Sequence, residues 1–247
     1  MLKHALALLL LATPLQAQDF GLLGGSRDLT FDMGVGASYR PVYPGADSND
    51  VAPWLILRNG NRGDAGAGDT QGFSFLPSLR MIGERDESDD ASLAGMGDID
   101  RAYEVGGSVR YGIGPVTAYG TLRKGFGGHH GVTGEVGLRH RLDVSDRLTL
   151  WSSLFAGYGD SDYSQTYFGI SPEQAANSGR AEYSPGGGIN SAVARLEARY
   201  ALTDSIALLG ELQYGRLVGD AGDSPIVQDK DQPIVRLGVV RRFSFGF

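Results

Sequence analysis

The sequence contains no cysteine, few prolines and no hydrophobic run long enough to form a membrane-spanning helix. Without cysteine the chain has neither disulfides nor a thiol for a lipid anchor, so its stability must come from other constraints. Only 10 prolines accompany 38 glycines, and no three-residue period links them, which excludes a collagen-like fibre. The net charge of −7 argues against nucleic acid as a partner, because nucleic-acid-binding proteins neutralise phosphates with basic side chains.

The first residues have the features of an export signal. A basic start at Lys3 is followed by an apolar run over residues 5–12 and by the small residue Ala17. This pattern predicts a signal peptide over residues 1–17 that is cleaved after Ala17. Residues 18–29 are then expected to form an N-terminal periplasmic segment ahead of the main domain.

Apolar and polar residues alternate along most of the remaining chain, beginning with FDMGVGASYR at Phe31. Strict alternation places one face of each strand in an apolar medium and the other in a polar one. The chain offers almost no helices to cover the apolar face, and a closed barrel in lipid with a polar lumen resolves this problem. The sequence therefore predicts an all-β fold over residues 30–247: a transmembrane, antiparallel, up-and-down β-barrel of about ten strands in the outer membrane.

The predicted connections alternate between long and short, which is typical of outer-membrane barrels with short periplasmic turns and long outer loops. One connection departs from this pattern, because Asn61–Asp69 should be a short turn and is not. Either the second hairpin is frayed there, or the count is wrong by one pair of strands. The predicted strands lie near Thr30–Tyr43, Asp50–Arg58, Thr70–Ile82, Arg101–Ile113, Gly114–Lys124, Gly131–Asp143, Asp146–Gly157, Gly188–Leu202, Asp204–Leu217 and Pro233–Phe247.

The last strand ends on FSFGF, which places Phe243, Phe245 and the terminal Phe247 on one face. A terminal strand with aromatic residues on one face resembles the strand that is recognised during barrel insertion. These three residues are therefore predicted to form the barrel-assembly signal, although Arg241 interrupts the same face.

Charged residues of both signs fall on the polar phase of the predicted strands. Arginine beside glutamate in a narrow lumen is expected to form hydrogen-bonded pairs, because unpaired charges there are costly. Side chains still fill the interior of a barrel of about this size, which favours a structural network of ion pairs over a selective pore. The predicted lumen charge network consists of Glu104, Arg110, Glu135, Arg139, Arg195, Glu197, Arg199 and Glu211, with Arg123, Arg141, Arg236 and Arg242 on the same phase.

One short helix is predicted inside a long connection. Ser171 is a candidate N-cap, Pro172 suits the first helical position, and Gln174 can close a capping box. Gly179 then supplies a stop signal. Such a helix in a loop is interpreted as a structural lid or plug.

No constellation typical of catalysis or of cofactor binding is found, so neither an enzyme nor a cofactor is expected. A metal site needs three or four convergent ligands, whereas the adjacent His129 and His130 project in opposite directions on an extended chain. Asp160, Asp162 and His129 could meet at the barrel rim, but the sequence shows no nucleophile and base at a suitable spacing. The acidic stretch over residues 84–100 is interpreted as a solvated loop, with divalent-cation binding beside anionic lipopolysaccharide as the alternative.

Several segments together resemble the MipA/OmpV family of outer-membrane proteins (MltA-interacting protein). They are YRPVYPGADSNDVAPWL, YEVGGSVRYGIGP, QTYFGISPEQAANSG, EYSPGGGI, RYALTDSIAL and YGRLVGDAGDSPIV, and they extend over most of residues 30–247. The specific motifs are TYFGIS and LVGDAGDSPIV. Their residues are Tyr167, Phe168, Gly169, Gly219, Asp220, Ser224 and Pro225.

The resemblance implies a scaffold in the outer membrane, among lipid and lipopolysaccharide, that holds a lytic murein transglycosylase together with a murein synthase. The alternative is a small porin or an adhesin-like barrel. Murein enzymes are periplasmic, whereas both specific motifs fall on loops predicted to lie outside. The candidate partner surfaces on the periplasmic side are Asn61–Asp69, Ser145–Asp146, Thr203–Asp204 and Gln18–Asp28, and the first is favoured because it is longer than hairpin closure requires.

Overall fold

The computed structural model describes residues 29–59 and 71–245, and its main feature is a single antiparallel sheet of ten strands. All ten predicted strands are confirmed, with boundaries that differ from the prediction by a few residues. The strands are β1 (Leu29–Pro41), β2 (Asn49–Asn59), β3 (Gly72–Ile82), β4 (Ala102–Ile113), β5 (Val116–Gly127), β6 (Val132–Asp143), β7 (Leu148–Gly159), β8 (Gly188–Ala201), β9 (Ile206–Leu217) and β10 (Asp231–Phe245).

Strands pair with their neighbours in the chain, and the first strand also pairs with the last. The ladder between β1 and β10 runs from Leu29 opposite Phe245 to Tyr39 opposite Val235. This pairing curls the sheet in the manner of an up-and-down barrel. In the described part of the chain no ladder joins β2 to β3, which form the two edges of the sheet. The irregularity predicted at this hairpin thus coincides with the edges of the sheet, and the strand count stays at ten.

The outer side of the sheet is apolar and uncovered, as the alternation predicted. On β3, for example, Phe73, Phe75 and Leu79 are each at least two-thirds exposed, and the residues between them are more buried. Large exposed apolar side chains occur on every strand. A sheet face of this kind suits contact with lipid, because hydrocarbon removes the penalty for exposing apolar surface to water.

The connections at one end of the sheet, here called the long connections, are residues 42–48, 83–101, 128–131, 160–187 and 218–230. The described connections at the other end are 114–115, 144–147 and 202–205. Four of the long connections are longer than any of these, and 128–131 has the same length as 144–147 and 202–205. Over the described residues the predicted alternation of loop lengths is therefore confirmed except at residues 128–131, which were expected to form a long connection and do not.

Three helices lie within the long connections: α1 (Ser161–Phe168), α2 (Pro172–Ser178) and α3 (Gly219–Gly222). The predicted α2 is confirmed in detail, with a complete capping box and a left-handed C-cap glycine at φ 72°. The prediction missed α1, which begins after the N-cap Asp160. None of the helices described reaches the length and hydropathy that crossing a bilayer requires.

Several predictions concern parts of the chain outside the described residues. They are the signal peptide over residues 1–17, the adjoining residues 18–28, the connection Asn61–Asp69 and the terminal Phe247. The backbone of Phe245 is described as strand, and Phe243 is partly exposed on the outer side. The aromatic assembly signal remains a prediction.

Inward-facing glycines allow β2 to pack closely over β1 and against β10. Ile56 of β2 is buried in a cluster with Ala207, Leu209 and Val240. A Cβ atom on Gly238 would lie 2.6 Å from the Cδ1 atom of Ile56. The sheet therefore curls tightly where side chains are absent.

We expect Gly36→Val to destabilise the folded barrel strongly. An added Cβ atom at this position would lie 2.2 Å from the carbonyl oxygen of Leu237, a clash with backbone that no side-chain rotation relieves. Overpacking of this kind costs about 1–3 kcal/mol or more, so the denaturant midpoint and the yield of the heat-modifiable gel band should both fall. Gly120→Val is the matched control, because an added Cβ atom there meets nothing within 4 Å. Equal stability of the two variants would contradict this packing.

Candidate functional site: the capped lumen

The long connections interlock over one end of the barrel, and together they are called the cap. The hydroxyl group of Tyr43 lies 2.6 Å from Ser92 Oγ and donates to the carbonyl oxygen of Ile226 at 2.9 Å. The side-chain amide of Gln174 donates to the carbonyl oxygen of Met96 at 2.6 Å. These bonds join four of the five long connections, so the cap is one packed layer rather than a set of separate loops.

The acidic stretch over residues 84–100 belongs to this layer, which corrects the expectation of a merely solvated loop. Leu93 and Met96 are almost fully buried. Asp90 accepts hydrogen bonds from the backbone of Ser92 and from the hydroxyl group of Ser48. Since these bonds favour the charged form, they lower the pKa of the Asp90 carboxyl group. At least one carboxylate of this stretch therefore holds the cap together.

The two specific motifs meet inside the cap. The hydroxyl group of Ser224 donates to the carbonyl oxygen of Phe168 at 2.6 Å. Tyr167 and Phe168, which are 4% and 2% exposed, pack with Leu217 and Ala221. The residues at which the two motifs meet are thus buried in the cap, whereas Gly219, Asp220, Asp223 and Pro225 of the second motif are exposed.

The remaining motif residues shape the backbone around this contact. Gly169 ends α1, and Gly219 has a positive φ of 58° at the start of α3. Asp220 accepts a hydrogen bond from the backbone of Gly186 at 2.7 Å. The carbonyl oxygen of Pro225 accepts one from Arg180 at 2.8 Å. Each of these residues has a structural contact within the cap.

His129 lies directly beneath the cap and is neutral. The ring is 2% exposed, and its Nδ1 atom accepts a hydrogen bond from the backbone N–H of Gly131 at 3.2 Å. Nε2 must then carry the proton, which it donates to Glu104 Oε1 at 3.1 Å. Burial lowers the pKa of His129 and outweighs the opposite influence of the Glu104 carboxylate.

Glu104 connects this histidine to the lumen. It also accepts two hydrogen bonds from Arg80, at 2.6 and 2.7 Å. The rings of Tyr163 and Tyr167 from α1 stack edge-on against the His129 ring, with centroids 5.2 and 5.6 Å away. The helix missed from the sequence therefore plugs the mouth of the barrel with two tyrosines.

The possible rim constellation of His129 with Asp160 and Asp162 does not form a catalytic arrangement. Asp160 accepts hydrogen bonds from the backbone of Tyr163 at 2.9 Å and of Val132 at 2.7 Å. It thereby caps α1, while Asp162 is exposed on the helix surface. Across residues 29–59 and 71–245, no group of three metal-ligating side chains is found.

The structure places all eight residues of the predicted lumen charge network on the inner face of the sheet, and most of them are joined by ion pairs. Asp32, which the prediction missed, lies between Arg199 and Arg242 at 3.4 and 2.9 Å. Arg195 has Gln213 as its nearest partner, at 2.6 Å, with Glu211 at 3.9 Å. The other pairs are Arg80 with Glu104 at 2.6 Å, Arg123 with Glu135 at 2.8 Å, Arg139 with Glu197 at 3.2 Å, and Arg236 with Glu211.

Arginine also stacks on aromatic rings inside the lumen, a feature that the prediction missed. The guanidinium carbon of Arg139 lies 5.1 Å from the ring of Trp151, and that of Arg195 lies 4.8 Å from the ring of Phe155. Such contacts stabilise a cation that is only partly neutralised by carboxylates. Aromatic residues on the polar phase of β7 were the signal that could have revealed them.

We expect the stability of the protein to fall in acid partly through His129. Because its pKa is lowered in the folded state, the unfolded chain binds a proton that the folded protein excludes, so stability decreases as the pH falls below about 6.5. Denaturant midpoints at pH 7.5 and pH 5.0 should differ more for the wild type than for His129→Gln. Glutamine can still donate a hydrogen bond to Glu104 but does not titrate. All other titratable groups are the same in the two proteins, so the difference in pH dependence reports on His129. Identical pH dependence of the two proteins would contradict this assignment.

Comparison with known proteins gives a family for this chain. The family profile described as "MltA-interacting protein MipA" matches residues 33–243. The Escherichia coli K12 protein named "Putative outer membrane protein YiaT" is 30% identical over 114 residues, which cover 46% of this chain and 46% of that relative. The match therefore spans about half the length of the relative.

The solved structures with a partly similar course of the chain include the following two. The COG4313 outer membrane channel from Pseudomonas putida F1 has a TM-score of 0.46 at 11% identity, over 92% of this chain and 98% of that one. OprG from Pseudomonas aeruginosa has a TM-score of 0.30 at 10% identity, over 89% and 98%. Because the family profile covers most of its length, the chain belongs to the MipA family and is an outer-membrane β-barrel protein.

Proposed function

We propose that this protein is a membrane-anchored docking platform for a periplasmic lytic murein transglycosylase, which it holds near a murein synthase. The description of its family names an interaction with the protein MltA. The observation that carries the proposal is the burial of Phe168 and Ile226, which are 2% and 0% exposed. Because the residues at which the two specific motifs meet are buried in the cap, we infer that the partner binds at the opposite end of the barrel.

The chemistry of the site supports binding rather than catalysis. The one histidine beneath the cap, His129, is neutral, and its two ring nitrogens are both engaged, one with Gly131 and one with Glu104. Asp160 is engaged with backbone N–H groups. A general base needs a free position within hydrogen-bond reach of a substrate, and these groups have none.

The described turns at the short-turn end are tightly closed. The hydroxyl group of Ser145 accepts hydrogen bonds from the backbone of Arg147 and of Leu148, at 3.3 and 3.1 Å. Thr203 Oγ1 accepts one from the backbone of Ile206 at 3.0 Å. Compact turns of this kind expose few side chains, so we propose the longer connection Asn61–Asp69 as the principal contact with the partner.

A pull-down tests the docking platform. The purified mature protein, immobilised in detergent, should retain a murein hydrolase from an extract of periplasm and outer membrane. Replacing Asn61–Asp69 with a two-residue turn should reduce retention at least fivefold. Replacing Ser145–Asp146 with Asn-Gly is the matched control, because it alters a short turn at the same end.

The two ways to fail are distinct. If the wild type retains no murein hydrolase or synthase, the docking function is wrong. If retention survives the loss of Asn61–Asp69, only the choice of surface is wrong.

The alternative, a small porin, is favoured by one observation: arginines outnumber carboxylates on the inner face. The cap opposes it, because Tyr163 and Tyr167 fill the mouth of the barrel. We expect the wild type to give no stable ohmic steps in planar bilayers. A variant in which a short glycine-serine linker replaces residues 161–186 should conduct, since α1 is then removed. Stable steps from the wild type would favour the porin instead.

A further inference from the structure

Two neighbouring arginines in the lumen, Arg110 and Arg139, have between them one described carboxylate neighbour. Arg110 on β4 lies directly opposite Tyr119 on β5, and Thr117, the next inward residue of β5, lies opposite Arg139 on β6. The two arginines are therefore diagonal neighbours across one strand, and their charges repel each other. Arg110 is three residues from the end of β4 at the short-turn end, which places it roughly 10 Å along the strand from the turn.

The hydrogen bonding of this pair is incomplete. Among the described residues, no carboxylate lies within 4.0 Å of the Arg110 guanidinium group. The Nε atoms of Arg110 and of Arg139 are both buried and have no hydrogen-bond partner. Arg139 has one carboxylate neighbour, Glu197 at 3.2 Å. Arginine does not release its proton in proteins, so a bound anion at this place would balance positive charge that the described carboxylates leave unbalanced.

Nearby carboxylates are already engaged elsewhere. Glu135, which acts on Tyr119 electrostatically, is held by Arg123 at 2.8 Å and approached by Arg80 at 3.7 Å. The hydroxyl group of Tyr119 lies in the field of Arg110, Arg139 and Arg195. Tyr119 lies opposite Arg110 in the ladder and two residues along β5 from the position opposite Arg139, so its hydroxyl group adds a hydrogen-bond donor beside the two arginines.

We propose that Arg110, Arg139 and Tyr119 bind a small oxyanion, a carboxylate or a phosphate, that enters from the short-turn end. The planar guanidinium fork matches two acceptor oxygens of one such group, whereas a halide offers a single point charge. The cap covers the other end of the lumen, so the ligand comes from the periplasm. This site does not depend on the docking function, and each can fail without the other.

The chain contains a built-in probe for this site. It has 2 tryptophans, and Trp151 is 3% exposed with the Arg139 guanidinium carbon 5.1 Å from its ring. In a Trp54→Phe background, fluorescence therefore reports on Trp151 alone. The mature protein in detergent micelles would be titrated with inorganic phosphate, acetate and chloride at constant ionic strength.

We expect a saturable change in Trp151 fluorescence with phosphate or acetate and no change with chloride. Comparing the titrations with phosphate and with acetate shows which class of oxyanion is preferred. Arg110→Gln should raise the dissociation constant at least tenfold, because a charged hydrogen-bond donor is lost. Arg241→Gln removes an arginine from the outer side of β10 and is the matched control. It should leave the dissociation constant unchanged. A heat-modifiable gel band establishes that each variant is folded.

Two results would overturn the site: no saturable response of the wild type to either oxyanion, or an unchanged dissociation constant in Arg110→Gln. If that variant does not fold, Tyr119→Phe decides, because it removes only a hydroxyl group from a ring that otherwise stays in place. A rise of threefold or more in the dissociation constant supports the site, and a smaller change overturns it.

Discussion

The structure depends on one constraint: in hydrocarbon, every backbone N–H and C=O group must find its hydrogen-bond partner within the protein. A curled antiparallel sheet meets this requirement for every strand that is paired on both sides, which in the described chain leaves only the outer edges of β2 and β3. The ladder between β1 and β10 brings the two ends of the described chain together. Once the strands are paired in this way, successive side chains point alternately to the outer and the inner face of the sheet. The apolar ones face outward, and the polar ones are enclosed.

Enclosing the polar residues creates the second feature, a lumen rich in arginine. A guanidinium group cannot be neutralised by losing its proton, so each inward arginine needs a partner. The protein uses several kinds: carboxylates such as Glu104 for Arg80, an amide for Arg195, and aromatic rings such as Trp151 for Arg139. Over residues 29–59 and 71–245, Arg110 has none of these, and this is the basis of the proposed anion site.

The cap completes the enclosure at one end. Its segments are far apart in the chain. Together they bury Tyr43, Leu93, Phe168 and Ile226 in small clusters above the lumen. The long connections thus close one end of the barrel, whereas the described connections at the other end are compact turns.

The sequence by itself determined most of what depends on local pattern, although α1 with its N-cap Asp160 was missed. The period of two defined the strands and their faces, the loop lengths defined the two ends, and the capping residues of α2 from Ser171 to Gly179 defined that helix. These features are local because they arise from backbone geometry and from residues a few positions apart. The inner-face positions of the lumen charges followed from the same period.

Only the tertiary structure decided which groups meet. Asp32 pairs with Arg242, 210 residues away, because β1 and β10 have one particular register. Tyr43 donates to Ile226, 183 residues away, because the cap folds as a unit. The isolation of Arg110 likewise depends on where every carboxylate of the inner face lies. Alternation fixes the face on which a side chain lies, but strand register and the curl of the sheet determine its neighbours.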